Sequence, residues 1–169
     1  MHPRAAGNKL ESKREEDPMI DLTWITDRLA LGGGIWISAN MAEVVRSGVT
    51  HIVDMQVEFD DSPLAKEFPV VVLWNPTDDD FQLKPPHLLQ RGVDFALQAL
   101  DEPECKVFVH CAAGVHRAPM MMLAIMGAMG WELGKAMDLI VTQRPCVDFA
   151  EVYVQSVRQF LREQVGAGL

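Results

Sequence analysis

The sequence predicts an α/β fold, with one domain built on a central, mostly parallel sheet of about five strands flanked by helices. Short β-prone segments alternate with segments of helical period, as they do in successive βαβ units. The β-branched run at residues 49–55 suits a parallel strand that is covered on both faces. The chain has 169 residues and is 49% hydrophobic, which is enough for one sizeable core and makes a second domain unexpected.

The first residues differ from the rest of the chain. Residues 1–17 are polar and charged without an apolar period, so we expect a disordered tail there and a domain over residues 18–164. No N-terminal leader segment is visible, and the apolar run near residues 120–129 is too short to cross a bilayer. We therefore expect a cytoplasmic protein that does not bind membranes.

Each predicted element follows from a local pattern. Residues 20–25 alternate as a half-buried strand, and residues 29–34 predict its partner strand and a glycine turn. Asn40 is the predicted N-cap of a short helix, with Glu43 as its capping-box partner and Gly48 as its end. Further strands are predicted at residues 49–55, 69–74 and 106–110, helices at 89–100, 119–129, 133–141 and 149–161, and loops at 60–63 and 75–86.

The loop between the strand at residues 106–110 and the following helix carries the strongest functional signal. It consists of Cys111, Ala112, Ala113, Gly114, Val115, His116 and Arg117. A tight turn from strand to helix points backbone N–H groups and a helix N-terminus at one spot, which predicts an anion site. Cys111 at its mouth is then a thiolate nucleophile, and the Arg117 guanidinium can grip phosphoryl oxygens. The pattern predicts covalent phosphoryl transfer without a metal, against the alternative of an inert buried cysteine beside a glycine turn.

Residues His110 to Arg117 resemble the signature of cysteine-dependent protein tyrosine phosphatases, in particular the dual-specificity branch. Residues 25–33 and 48–55 look like the opening strands of that branch, and the resemblance covers about residues 22–161. It implies the dual-specificity phosphatase fold and catalysis by Cys111 and Arg117. It also implies that residues 112–117 bind the phosphate and that His110 supports the loop through hydrogen bonding.

One position departs from the family pattern. Ala118 stands where the family usually has Ser or Thr, whose hydroxyl stabilises the leaving thiolate when phosphocysteine is hydrolysed. This departure puts the rate of the second step in doubt. Arg-Ala-Pro resembles the version found in plant glucan phosphatases, so Ala118 does not by itself imply an inactive enzyme.

A general acid is also required, because the ester oxygen leaves as an alkoxide or phenoxide. Asp78, Asp79 and Asp80 lie where the resemblance places the family's acid. Matching the following Phe81-Gln82-Leu83 to the family pattern favours Asp78, whereas counting back from Cys111 allows Asp79 or Asp80. We take Asp78 as the predicted acid, with Asp79 and Asp80 as supporting residues.

Composition limits the partners and cofactors. The net charge of −9 and the pI near 4.9 repel polyanions, which argues against nucleic acid and anionic membranes as partners. Three cysteines without paired spacing fit a reducing compartment. The histidines outside the loop, His2, His51 and His87, lack ligand spacing, so no metal and no other cofactor is expected. We expect a monomer.

The sequence therefore predicts a phosphomonoester hydrolase that acts through a phosphocysteine intermediate. The expected substrate is phosphotyrosine in proteins, with phosphoserine and phosphothreonine open, because an aryl leaving group demands least of the acid. Two alternatives stay open: a phosphatase of phosphoglucan or another small phosphate ester, for which tryptophans could offer stacking faces, and a phosphate-binding module with little turnover.

Overall fold

The computed structural model describes residues 20–167, so the predicted tail at residues 1–17 lies outside the described residues. The strands are β1 (Leu22–Trp24), β2 (Leu29–Gly32), β3 (His51–Gln56), β4 (Val71–Thr77) and β5 (Val107–His110). The helices are α1 (Ser38–Arg46), α2 (Ser62–Ala65), α3 (Pro86–Leu100), α4 (Arg117–Ala128), α5 (Leu133–Gln143) and α6 (Glu151–Ala167). Within residues 20–167, no helix is both long and apolar enough to traverse a lipid bilayer.

The five strands form one sheet in the order β1-β2-β5-β3-β4. All neighbouring pairs are parallel except β1 and β2, which form an antiparallel pair. The prediction of a mostly parallel sheet flanked by helices is confirmed. Strand β5 lies at the centre, with His110 level with Gly32 of β2 on one side and with Asp54 of β3 on the other.

Helices cover both faces of the sheet. On one face, α3, α4, α5 and α6 pack over residues such as Val107 and Val109, and on the other α1 and α2 pack over Phe108. Helix α4 lies at the centre of the larger layer, and its residues 117–126 are all buried. Because each fully buried Leu, Ile or Met side chain contributes about 1.5–3 kcal/mol, this apolar helix anchors whatever precedes it. The predicted buried helix is confirmed.

Two local predictions are wrong. Asn40 is not the N-cap of α1, because the helix begins at Ser38 and the cap position is Ile37. The Asn40 amide instead donates to the Ile35 carbonyl at 2.9 Å, which ties the incoming chain to the first turn. The predicted loop at residues 60–63 contains the start of α2, where the Ser62 N–H donates to Asp60 Oδ1 at 2.9 Å.

The segments that follow the parallel strands all begin at the same edge of the sheet. The segments after β5, β3 and β4 start at Cys111, Val57 and Asp78, respectively. Since the carboxyl ends of parallel strands are the usual ligand-binding edge of such a sheet, this edge is where a site is expected.

Candidate active site

The loop from Cys111 to Arg117 folds into a cup around the cysteine sulfur. Cys111 is 2% exposed, and its Sγ accepts hydrogen bonds from the N–H of Gly114 at 3.3 Å and the N–H of Ala118 at 3.4 Å. The sulfur thus sits between the loop amides and the first turn of α4. Two backbone N–H donors are therefore aimed at one sulfur atom.

The carbonyl groups of the loop all have partners outside the cup. The acceptor and donor pairs are Cys111 O with His110 Nδ1 at 3.2 Å, Ala112 O with Gly34 N at 3.0 Å, Ala113 O with Arg144 Nη2 at 3.1 Å, Gly114 O with Arg144 Nε at 3.0 Å, Val115 O with Asp148 N at 3.0 Å, and His116 O with Met120 N at 3.2 Å. Six consecutive carbonyls are therefore drawn away from the centre of the loop. This arrangement leaves amide donors rather than carbonyl acceptors to face an anion.

Gly114 is required where this loop turns. Its φ is +66°, and a Cβ built there would lie 2.6 Å from the Gly32 carbonyl oxygen and 2.6 Å from Arg144 Nη2. Only glycine adopts such a conformation without strain and leaves room for both neighbours.

Arg144 supports the loop from behind. Besides its bonds to Ala113 and Gly114, the buried guanidinium donates to both carboxylate oxygens of Asp21 at 2.7 and 2.8 Å and to Thr23 Oγ1 at 3.0 Å. The paired, planar geometry is one that arginine forms and lysine cannot. Arg144 therefore ties the loop to the first described residues of the chain.

Arg117 is the first residue of α4, and its buried guanidinium is held in a defined plane. Its Nη1 and Nη2 donate to Glu58 at 2.5 and 3.0 Å, and Nη1 also donates to the Thr77 carbonyl at 2.9 Å. Burial lowers the pKa of Arg117, but the hydrogen bonds that it donates to Glu58 and the charges of Cys111, Glu58 and Asp79 outweigh this effect and raise that pKa. The same hydrogen bonds lower the pKa of Glu58.

The three consecutive acids after β4 lie in different surroundings. Asp79 accepts from the Tyr153 hydroxyl at 2.8 Å and pairs with His116 Nδ1 at 3.0 Å, which joins it to the loop. Asp80 pairs with Lys84 at 2.6 Å. For Asp78, the contact recorded within residues 20–167 is of its backbone carbonyl, which accepts from Lys84 at 2.7 Å. The structure thus brings the Asp79 carboxylate to the cup.

An aromatic group covers the side of the cup next to Asp79. The Phe81 ring stacks on Tyr153 with centroids 5.7 Å apart and meets His116 edge-on at 5.0 Å. The Tyr153 hydroxyl also accepts from the Phe81 N–H at 3.1 Å, and burial chiefly raises the Tyr153 pKa to about 12. Tyr153 therefore stays a neutral hydrogen-bond donor to Asp79 at physiological pH.

A model of the dual specificity phosphatase catalytic domain matches residues 35–163, most of the chain. The chain belongs to the dual specificity phosphatase family. This membership confirms the predicted family and the phosphatase class of the chain. The loop residue His116 hydrogen-bonds to Asp79 through Nδ1 and to Asp148 through Nε2.

The chain is also similar, in sequence or in fold, to individual proteins. A protein-tyrosine-phosphatase of Arabidopsis thaliana, IBR5, is 31% identical over 71 residues, which are 40% of this chain and 28% of that protein. The fold is similar to that of PTPMT1 in complex with PI(5)P, with a TM-score of 0.76 and 22% identity over 88% of this chain and 99% of that one. It is also similar to human DUSP28, with a TM-score of 0.70 and 20% identity over 85% of this chain and 95% of that one.

The family's usual hydroxyl is absent beside the sulfur of this dual specificity phosphatase. Ala118 is fully buried and directs its N–H, but no side-chain donor, at Cys111 Sγ. On the side of the sulfur that faces Ala118, the hydrogen-bond donor is therefore a backbone N–H group and not a side-chain hydroxyl.

Four residues at the site were not found by sequence reasoning: Glu58, Asp61, Arg144 and Tyr153. Glu58 and Asp61 follow β3 at the ligand-binding edge of the sheet, so the strand order would have pointed to them. Arg144 lies just beyond the predicted helix at residues 133–141, and Tyr153 lies within the predicted helix at residues 149–161. Their partners lie more than 25 residues away in the chain, and no local pattern records such pairs.

Three buried side chains behind the loop could in principle ligate a metal. Asp54, Asp61 and His110 place one ligand atom each within 4.8 Å of the others. His110 Nε2 hydrogen-bonds to Asp61 Oδ2 and lies 3.8 Å from Asp54 Oδ1. Two carboxylates and an imidazole suit a divalent cation. Protons bound by the same side chains can also balance the two carboxylate charges.

Proposed function

We propose that this protein hydrolyses phosphate monoesters through a covalent phosphocysteine at Cys111. The observation that carries the proposal is the outward fixing of six loop carbonyls around a sulfur that accepts two N–H bonds. A cup of this kind binds a tetrahedral dianion and holds a nucleophile beneath it.

The chemistry runs in two steps. In the first, the Cys111 sulfur attacks phosphorus, the S–P bond forms, the P–O ester bond breaks, and a carboxylic acid gives its proton to the leaving oxygen. In the second, water attacks phosphorus, the S–P bond breaks, and the same carboxylate takes the proton from water. The products are an alcohol or phenol and inorganic phosphate. Arg117 and the loop amides stabilise the equatorial oxygens in both steps.

The geometry favours Asp79 over Asp78 as the acid. Asp79 is the member of the triplet whose carboxyl group hydrogen-bonds to the loop residue His116, which places that group beside the cup. The sequence choice of Asp78 rested on a match to the three residues that follow the acids. A shift of one residue along an exposed loop separates the two assignments.

We propose phosphotyrosine in proteins as the substrate, with phosphoserine and phosphothreonine as further protein substrates. The name of the Arabidopsis relative supports this class. The aromatic pair Phe81 and Tyr153 beside the cup offers a ring surface against which an aryl ester can lie. The acids that hold His116, Asp79 and Asp148, disfavour a polyanionic lipid headgroup.

A phosphoglucan or other small phosphate ester is the second candidate, and one observation favours it. Trp36 is 43% exposed, and its ring centroid lies 5.4 Å from that of Phe59. Trp36 is two residues beyond Gly34, whose N–H donates to the carbonyl of the loop residue Ala112. An exposed indole near the loop can stack on a sugar. Trp24 is not available for this role, because it packs with Lys106 at the opposite end of β5.

Hydrolysis of para-nitrophenyl phosphate in the presence of EDTA tests the chemistry. We expect turnover by the wild type and none by Cys111→Ser, with Cys105→Ser as the matched control that keeps activity. Turnover by Cys111→Ser, or a requirement for a divalent ion, contradicts the mechanism. Tight phosphate binding without turnover by the wild type identifies a binding module instead.

The substrate is tested with equal concentrations of four compounds. These are a phosphotyrosine peptide, a phosphothreonine peptide, a solubilised phosphoglucan and a phosphoinositide. We expect the highest kcat/KM for the phosphotyrosine peptide. A higher value for the glucan would move the assignment to the second candidate.

We also propose that the protein works as a monomer in the cytoplasm, without a membrane. Its three cysteines are free, and Cys146 is exposed, which fits a reducing compartment. Cell fractionation and light scattering of the purified full-length chain test this, and a membrane-bound or dimeric pool contradicts it.

A further inference from the structure

A fully buried polar cluster lies directly behind the nucleophile. It consists of His110 at the end of β5, Asp54 in β3 and Asp61 just before α2, all with 0% exposure. Buried charges need partners, because an unpaired one costs several kcal/mol. The partners here are other members of the cluster, so the cluster acts as one unit.

The hydrogen bonds of His110 define which atoms carry protons. Its Nδ1 lies 3.2 Å from the Cys111 carbonyl oxygen, which can only accept, so Nδ1 carries a hydrogen. Its Nε2 shares a short hydrogen bond with Asp61 Oδ2. The imidazole therefore bridges an acid on one side and the backbone of the nucleophile on the other.

Asp54 completes the cluster by holding the backbone of its neighbours. Its Oδ1 accepts from the Gln56 N–H at 2.9 Å and its Oδ2 from the Asp61 N–H at 3.0 Å. Burial chiefly raises the Asp54 pKa to about 7. For His110, burial lowers the pKa, but the hydrogen bond to Asp61 and the charges of Asp61 and Asp54 outweigh this effect and raise that pKa.

We propose that Asp61 is a positioning residue for the phosphatase reaction: its carboxylate holds the His110 imidazolium so that Nδ1 pulls the Cys111 carbonyl out of the anion cup. This inference rests on the proposed function. The imidazolium lies between Asp61 and Cys111, so the positive end of the pair faces the nucleophile. The pair thereby favours the ionised sulfur as well as the orientation of the first peptide group of the loop.

The groups that face the His110 ring are Asp61, Asp54 and the Cys111 peptide, with the Phe108 ring stacked at 5.3 Å. Burial raises the Asp54 pKa, and Asp61 and Asp54 raise the His110 pKa, so both shifts favour bound protons that reduce the net negative charge of the cluster. A bound divalent ion would be an alternative means of balance. It is excluded if the purified protein contains less than stoichiometric metal and keeps its activity in EDTA.

The experiment compares Asp61→Asn and Asp61→Ala with Asp60→Asn in the full-length protein. Asp60 is the matched control, since its Oδ1 accepts from the N–H of Ser62 at the start of α2 and an asparagine oxygen can do the same. The readouts are the pH profile of kcat/KM and the pH midpoint of Cys111 alkylation by iodoacetamide. Circular dichroism and thermal unfolding establish that each variant is folded.

We expect Asp61→Ala to lower kcat/KM by about 10-fold to 100-fold, as misplacement of a reacting group does. The alkylation midpoint should move up by about one pH unit, with a smaller change for Asp61→Asn and none for Asp60→Asn. If Asp61→Ala does not fold, the same two readouts on Asp61→Asn test the proposal. Wild-type pH behaviour in a folded Asp61 variant overturns the proposal, and so does a stoichiometric metal whose removal abolishes activity. The alkylation readout needs no turnover, so it tests Asp61 even if the wild type hydrolyses no ester.

Discussion

Replacing Asp79 by asparagine separates the two candidate acids. An asparagine side chain is nearly isosteric, and its amide oxygen can still accept from the Tyr153 hydroxyl, which donates at 2.8 Å in the wild type. The change therefore removes the proton without removing this anchor. Asp78→Asn is the matched control one residue away, in the same loop and with the same loss of charge.

The expected size of the effect follows from the leaving group. General acid catalysis contributes about 10²–10⁴ in rate, and the larger values apply to poor leaving groups. We expect Asp79→Asn to lower kcat by about 100-fold on a phosphotyrosine peptide and by about 10-fold on para-nitrophenyl phosphate, whose phenolate needs less help. Asp78→Asn should change either value by less than about 2-fold, because the hydrogen bond found for Asp78 within residues 20–167 is made by its backbone carbonyl and not by its carboxylate.

Stopped-flow or steady-state assays with both substrates over a range of pH give the comparison. The ratio of the two losses is the diagnostic quantity, because a merely displaced loop would slow both substrates equally. Equal losses in Asp79→Asn and Asp78→Asn would refute the assignment. A larger loss in Asp78→Asn would restore the choice made from sequence.

Two further predictions concern the residues next to the sulfur and the arginine. Ala118→Ser should hydrolyse the phosphocysteine intermediate faster, because the serine hydroxyl adds a hydrogen-bond donor beside the leaving sulfur. Acid-quench trapping should then show less phosphoenzyme than in the wild type. Equal amounts would contradict this role for the hydroxyl. The Arg117 hydrogen bond lowers the pKa of Glu58, so this ion pair stabilises the fold above the ordinary Glu pKa and the stabilisation is lost as pH falls through the lowered value. Urea midpoints should therefore be lower for Glu58→Gln than for wild type at about pH 7, and the difference should shrink as the pH falls below the ordinary Glu pKa; a constant difference would contradict this linkage.

Much of the catalytic loop could be predicted because its information is local. The strand, the glycine turn, the Cys–Arg spacing and the buried helix occupy about 20 consecutive residues, and each step follows from backbone geometry. The alternation of strands and helices likewise predicted the parallel sheet. The roles of Cys111 and Arg117 stay predictions until the variants are measured.

The supporting residues could not be predicted because their partners are distant in sequence. Glu58 meets Arg117 across 59 positions and Arg144 meets Asp21 across 123. The choice among Asp78, Asp79 and Asp80 depended on side-chain direction in a loop, which period and composition do not specify. The error at Asn40 has the same origin, since its amide found a carbonyl five residues upstream instead of the helix N-terminus.

The Arg144 contacts have a consequence for biosynthesis. The guanidinium joins Asp21 near the start of the domain to the Ala113 and Gly114 carbonyls in its middle, yet it belongs to the residue that follows α5. A ribosome must therefore release residue 144 from its exit tunnel before the cup can close around the sulfur. Until then Arg144 cannot hold the Ala113 and Gly114 carbonyls, so we expect enzymatic competence only after α5 and the residue that follows it have emerged.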